Sequence, residues 1–402
     1  MTALRERDAL TEPGGRLLVP AMSELIDWLV GDECHEHDDA ELAAELGRRL
    51  RATGLPLDHL GLYLRTLHPE IRSRTIAWAP DEPVQIHDRQ HGVELLAAHQ
   101  KNPVRHVLET QKPLVLRVDH LNDAAWTHID IFEGRDLVEF VLLPLRNADA
   151  STNVVSFATT RSSGFSVAER AAFARIAPAL RNVCELRTLR SAEQALLDTY
   201  VGALTARRIL KGHIRRGEVE TLEAAFMLCD LRGFTELSNR LPSRRVLQLL
   251  DAYFDCVVPA INETGGEVIK FMGDAVLAFF LREDASSACS AGLRGALSAL
   301  QRLEELPISD AELHAGIALH HGKVSYGNIG YGHRLDFTLI GPDVNFVSRL
   351  QGVCCITGQS LLMSERFARL LDPALVMALG PHQLKGFAEP AELYTLRSGE
   401  RG

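Results

Sequence analysis

Asp230 and Asp274 stand 44 positions apart, each at the end of a short apolar run. The first closes Ala224-Ala225-Phe226-Met227-Leu228-Cys229 and precedes Leu231-Arg232-Gly233-Phe234-Thr235. The second ends Val268-Ile269-Lys270-Phe271-Met272-Gly273, and Ala275 to Phe280 run on behind it. Apolar stretches of this length bounded by glycine read as buried strands. A carboxylate at the tip of such a strand is costly unless a cation meets it. Two of them can hold divalent metal at a phosphate. Taken alone, the same pair reads better as two strand-end turn acids, since Asp is common in turns.

The elements that must position this pair follow from the surrounding pattern. A strand ends at Asp230, and a helix is predicted from about Ser243 to Thr264. Glu267 to Lys270 and Val276 to Phe280 form a hairpin turning at Gly273-Asp274. A helix over about Ala285 to Leu303 is followed by strands over His314 to Leu319, Lys323 to Gly327 and Phe337 to Ile340. A helix over about Asp343 to Gly352, a short strand, a helix over Ser364 to Leu371 and a terminal hairpin complete this half. Strands and helices mix without regular βαβ repeats, so the fold class is α+β with a mixed or antiparallel sheet and flanking helices.

The N-terminal half reads differently. Residues 1–19 are expected to be a flexible tail. Met22 to Val30 and Glu41 to Arg51 read as short helices, and Leu60 to Leu67 with Arg72 to Trp78 as a hairpin around His68-Pro69-Glu70. Val104 to Thr110 reads as a helix; Leu114 to Val118, Leu137 to Leu145 and Asn153 to Thr159 read as strands. Ser166-Val167-Ala168-Glu169 is a capping box that should open a long helix, with Pro178 kinking or breaking its first part. The order over residues 20–185 resembles a GAF-type α+β sensor module, in architecture alone, and fold analogy of this kind gives no ligand. Leu186, Leu189, Glu193, Leu196, Tyr200 and Ala203 alternate three and four apart, a short a/d seam. Residues 186–217 are then either a helix packed on its own domain or a helical linker forming a parallel dimer stalk. Cys34-His35-Glu36-His37-Asp38 tempts a metal reading, but no second ligand cluster accompanies it, and it reads as a polar loop.

Composition narrows the function classes. With 402 residues, 46% hydrophobic and 24% charged, the chain should hold two or three globular domains with cores of their own. A net charge of -10 argues against a broad nucleic-acid or anionic-membrane surface. The seven cysteines are odd in number and show no zinc or disulfide spacing, which suits a reducing cytosol. Met1 to Gly15 is polar and unlike a signal peptide, and no uncharged run reaches the roughly 18 residues a membrane span needs. A cytoplasmic protein with no nucleic-acid partner and no membrane span is expected.

Four segments carry a family resemblance. Cys229-Asp230-Leu231-Arg232-Gly233-Phe234-Thr235 resembles the first metal motif of the class III nucleotidyl cyclases, and Gly266-Glu267-Val268-Ile269-Lys270-Phe271-Met272-Gly273-Asp274 resembles the second. The run from Arg334 through Thr338 and Asn345 to Leu350 resembles their third, and Leu384-Lys385-Gly386-Phe387 their closing segment. The segments lie in order over about residues 220–396, within a C-terminal domain of residues 218–402. The resemblance implies an adenylate cyclase: the ribose 3′-hydroxyl of ATP attacks the α-phosphorus, giving 3′,5′-cyclic AMP and pyrophosphate. It implies Mg²⁺ or Mn²⁺, two per site, on Asp230 and Asp274. The backbone around Gly233, Phe234 and Thr235 is a candidate for the β/γ phosphates. Arg334 and Lys385 are further candidates, although Phe387 falls where the family's terminal phosphate Lys is expected.

Base choice turns on Lys270, four before Asp274, and Thr338, seven before Asn345, which match the family's base-reading positions. A Lys donates to adenine N1 and a Thr oxygen accepts from N6, whereas guanine would want an acid in place of the Lys. Thr stands where the commonest adenylate cyclases carry Asp; Asp336 lies two residues early. The resemblance is thus to the Thr-type subclass, which includes bicarbonate-responsive enzymes. Asn345 and Arg349, four apart on one helix face, match residues that orient the ribose and stabilise charge at the α-phosphate. The family works as head-to-tail pairs, so a homodimer sharing two sites is implied, with an unknown small-molecule or protein signal acting at the N-terminal domain. A guanylate cyclase, or a degenerate cyclase-like dimerisation module, is the alternative.

Overall fold

The computed structural model describes residues 13–91, 102–118, 136–306, 313–332 and 334–397. The chain divides into two units, Met1–Leu196 and Leu197–Gly402.

In the first unit, helices α1 (Pro13–Val30), α2 (Asp32–Glu36) and α3 (Asp39–Ala52) precede strands β1 (His59–Arg65), β2 (Ile71–Trp78) and β3 (Gln85–Gln90). Helix α4 (Pro103–Thr110) and strands β4 (Leu114–Arg117), β5 (Glu139–Arg146) and β6 (Thr152–Thr159) follow. The strands form one antiparallel sheet in the order β3-β2-β1-β6-β5-β4. On α3, Leu42, Leu46 and Leu50 recur at helical spacing and are buried. Gly47 lies between them with Trp78 directly over it, so any larger side chain would collide with the indole. Helix α1 starts at Pro13, upstream of Met22; the rest of the tail reading lies outside the described residues. The Cys34–Asp38 segment is helix and helix cap rather than loop. Asp38 and Glu41 cap α3 reciprocally at 2.8 Å each, and Arg187 donates to the Cys34 and His37 carbonyls at 2.8 and 2.6 Å.

Helix α5 (Val167–Val201) opens on the expected capping box, with Ser166 N–H donating to Glu169 at 2.6 Å and Glu169 N–H to Ser166 Oγ at 3.2 Å. It runs unbroken past Pro178. The missing backbone hydrogen bond costs roughly 3 kcal/mol, but Phe173, Ile176, Leu180 and Val183 are buried on either side and hold the helix. Farther along, Leu189 and Tyr200 of the a/d seam are 57% and 78% exposed. Gly202, at φ 85°, ends the helix, so Ala203 belongs to the next one, α6 (Ala203–Leu210).

The second unit is built on β7 (Val219–Leu231), β8 (Glu267–Met272), β9 (Ala275–Phe280), β10 (Ala315–Tyr331), β11 (Arg334–Ile340), β12 (Leu361–Ser364), β13 (Val376–His382) and β14 (Ala391–Leu396). The sheet order is β13-β14-β12-β10-β7-β9-β8, with β11 also on β10. Only the β10–β12 pairing among these is parallel, so the sheet is mixed, as the absence of βαβ repeats implied. The two strands expected over His314 to Gly327 are one. His320-His321-Gly322 continue the β10 ladder because β7 pairs with it from Val219 to Leu231.

Helices α7 (Phe234–Arg240), α8 (Ser243–Glu263) and α9 (Ala285–Glu304) lie between β7 and β10 in sequence, and α10 (Pro342–Thr357) and α11 (Glu365–Ala368) after β11. Alternation on β7 divides the core in two. Ala225, Met227, Cys229 and Leu231 join the α8–α9 cluster, whereas Leu222, Ala224, Phe226 and Leu228 join the cluster containing Val347, Leu350 and Cys354 of α10. Among the described residues no helix is long and apolar enough to cross a membrane.

Candidate active site

Asp230 is the next even-numbered residue of β7 after Leu228, so it extends the α10-facing row with a charge. Antiparallel pairing of Cys229 with Val276 brings the start of β9 alongside, and the β8–β9 hairpin closes through only Gly273 and Asp274, with Gly273 at φ 68°. The register therefore delivers the Asp274 carboxyl to within hydrogen-bonding reach of Asp230. Gln351, on the inner side of α10, donates to Asp230 Oδ2 at 3.1 Å. Burial, then the neighbouring Asp274, push the Asp230 carboxyl up to about 6, against a smaller opposing effect of Gln351.

Two crowded carboxylates suit a hard divalent cation. Among the described residues no group of three or more His, Cys, Asp or Glu is placed to hold a metal. A two-carboxylate donor set leaves coordination to water and phosphate oxygens, as Mg²⁺ or Mn²⁺ sites at phosphates require. Without metal, the sign of the pH dependence is fixed. The folded-state value of about 6 lies above the ordinary carboxylate range, so this group's stabilising contribution is present at low pH and lost as pH rises through 6. Thermal melts in chelator should fall between about pH 4 and 6 and level off above, Asp230→Asn should flatten that fall, and Mn²⁺ should raise the melting temperature at pH 7.5. A melting temperature independent of pH and metal would contradict the pairing.

Lys270 is aimed by an irregularity. The β8–β9 register shifts between Val268 and Lys270, so Lys270 pairs with Leu277, on the α10 side of the sheet, although Val268 pairs with Ala278 on the other side. A bulge of this kind re-aims one side chain beside a functional site. The ammonium makes an ion pair with Asp336. Strand β11 pairs with β10 in unbroken register, so Asp336 and Thr338 share one face and the core-packed Phe337 and Leu339 the other. Lys270 and Thr338 are thus brought to one place, and Asp336, discounted from spacing alone, is the residue that holds the ammonium there.

Asn345 and Arg349 are both exposed on α10. They lie on the opposite side of the helix from Gln351, which six- and two-residue separations require. Among the described residues no hydrogen bond or ion pair joins Asp230 or Asp274 to Lys270, Thr338, Asn345 or Arg349. Among the described residues the two sets are thus not joined by any such contact. Of the phosphate candidates, Gly233 is left-handed at φ 71° and caps α7, Phe234 is half-buried, and Thr235 is exposed. Arg232 turns its guanidinium inward to the Cys354 and Gln359 carbonyls. Arg334 and Lys385 are exposed. Phe387 packs edge-on against Phe346, 5.3 Å between centroids, and serves the core. Gln351 was not found from sequence; its signal is helical spacing that turns it inward, opposite Asn345 and Arg349.

Residues 219–398 match the family described as adenylate and guanylate cyclase catalytic domain. An adenylate cyclase of Anabaena cylindrica is 29% identical over 195 residues, covering 46% of this chain and 38% of that protein. Adenylate cyclase 1 of Rhizobium meliloti is 28% identical over 231 residues, covering 53% and 34%. The chain thus spans well under half the length of these relatives. Among solved structures, a bacterial light-regulated adenylyl cyclase is 27% identical with a TM-score of 0.47, covering 55% of this chain and 65% of that one. Residues 219–398, which carry the paired aspartates on β7 and the β8–β9 turn, are thus the part of the chain that matches the adenylate and guanylate cyclase catalytic domain family.

Proposed function

We propose that the chain is an adenylate cyclase acting as a homodimer, with each site assembled from both protomers. The observation that carries this reading is that one set gathers at Asp230 while the other, Lys270 and Thr338 half-buried on β8 and β11 and Asn345 and Arg349 exposed on α10, makes no hydrogen bond or ion pair to it among the described residues; a two-fold pairing lets each complete the other. Asp230 and Asp274 hold Mg²⁺ or Mn²⁺, two per site, which when bound lower the pKa of the 3′-hydroxyl and neutralise the departing phosphates. Lys270 donates to adenine N1 and Thr338 accepts from N6. Asn345 orients the ribose, and Arg349 places its guanidinium where negative charge grows on the α-phosphate. The first-turn N–H groups after Gly233 receive the β/γ phosphates, with Arg334 and Lys385 as the nearby cations.

Residues 20–185 serve as a GAF-like regulatory domain for a small-molecule or protein signal. Residues 186–217 form the linker, and residues 218–402 the catalytic domain. The exposed Leu189 and Tyr200 on α5 support a stalk in which two copies cover each other's seam.

Incubation of the purified dimer with Mn²⁺-ATP and Mn²⁺-GTP tests the reading; cyclic AMP is expected, and no cyclic product from either nucleotide overturns it. Removing the charged donor with Lys270→Ala should lower kcat/KM for ATP by about 1.5–3 kcal/mol, roughly 10- to 150-fold. The preference for ATP over GTP should shrink with it. Unchanged discrimination would remove Lys270 from base reading.

A further inference from the structure

Helix α10 carries Asn345 and Arg349, yet its start is not held in the usual way. Its N-cap is Gly341, which has no side chain to accept a first-turn N–H, and the first intrahelical bond, from Asn345 N–H to the Gly341 carbonyl, is long at 3.4 Å. The helix is instead tethered from outside by Asp343. Its Oδ2 accepts the Lys323 N–H at 2.7 Å. Its Oδ1 lies 3.3 Å from the Arg366 guanidinium. The same Oδ1 is 3.3 Å from Nε2 of the buried His320, an ion-pair distance without the alignment of a hydrogen bond.

His320 is fixed in turn. Its Nδ1 pairs with Ser364 Oγ at 2.8 Å, and its ring stacks on Phe346, 4.6 Å between centroids. Gly322 completes the seat. The Asp343 carboxylate occupies the space its Cβ would take, and Gly322 has an ordinary backbone conformation, so glycine is there for room rather than for dihedral freedom. The His320, Lys323 and Arg366 groups together hold the Asp343 carboxyl below the usual range, so it is charged when it makes these contacts.

We propose that Asp343 is a positioning residue: it tethers the N-terminal turn of α10 to β10 and α11 and so sets where Asn345 and Arg349 stand. Among the described residues no hydrogen bond or ion pair holds those two exposed side chains, and the other polar holds on the helix, Gln351 to Asp230 and Arg232 to the Cys354 carbonyl, lie past them. This role rests on the cyclase reading. Because Asn345 and Arg349 act on charge and geometry at the transition state, misplacing them lowers kcat more than it raises KM. Displacements of about 1 Å cost up to roughly 100-fold.

The test uses the full chain with Asp343→Ala, Asp343→Asn and Gly322→Ala, each assayed well below its melting temperature. Hydrogen exchange is followed over residues 342–350, and kinetics are measured with Mn²⁺-ATP. Asp343→Ala and Gly322→Ala should both speed exchange in the first turns of α10 and lower kcat about 10- to 100-fold with KM little changed. Asp343→Asn, which keeps an acceptor for Lys323 N–H, should fall between them and wild type. Gly322→Ala added to Asp343→Ala should cost nothing more, because the seat is already empty. If Asp343→Ala does not fold, Asp343→Asn and Gly322→Ala carry the same comparison. Unchanged exchange overturns the tether. Faster exchange with unchanged kcat, in a protein whose wild type makes cyclic AMP, overturns the positioning role alone. No product from wild type overturns the cyclase reading and this role with it.

Discussion

Asp274→Ala should reduce cyclic AMP formation by about 10³-fold or more, the several kcal/mol that metal-ion charge stabilisation supplies, while the domain stays folded. The position explains both halves of this expectation. Asp274 sits half-exposed in a two-residue turn, so alanine leaves no cavity and meets no clash. Its carboxyl is also one of the groups that push Asp230 up to about 6. Removing it relieves a like-charge contact, and the metal-free melting temperature should hold or rise. The metal-induced rise in melting temperature should disappear with the activity. Turnover near wild type in Asp274→Ala would contradict the metal role, and loss of fold would mean that the turn, rather than the charge, is what the site needs.

The second large effect is a recovery. Asp230→Ala lacks the metal set and Arg349→Ala lacks the transition-state cation, so each homodimer should be inactive. After mixing and subunit exchange, half of the dimers are mixed, and each has one site with both sets intact. Activity should return to about a quarter of wild type. Mass measurement of differently tagged chains establishes that mixed dimers form. Inactivity despite proven mixed dimers would place all six residues in one protomer's site, against their separation in the chain.

Much of the catalytic unit was legible because its chemistry sits in contiguous runs. The strand ending at Asp230, the Gly273-Asp274 turn and the i, i+4 pair of Asn345 and Arg349 are local patterns, and local patterns survive folding. The long β10 was read as two strands because His320-His321-Gly322 looks like a break; pairing with β7 along its whole length overrides the local signal. Pro178 misled for the same reason, since burial on both sides of it outweighs one lost hydrogen bond. The helix at Ser364 to Leu371 shrank to Glu365–Ala368.

The sequence by itself determined which residues are present and what each can donate or accept: two acids, a lysine and a threonine, an asparagine and an arginine. Only the tertiary structure decided which of them meet. Strand register set Asp230 against Asp274, a one-residue bulge turned Lys270 toward β11, and the rotation of α10 put Gln351 inside and Arg349 outside. Each is a relation between segments far apart in the chain. Such relations depend on pairing and packing partners, which a pattern read along one strand or helix does not contain.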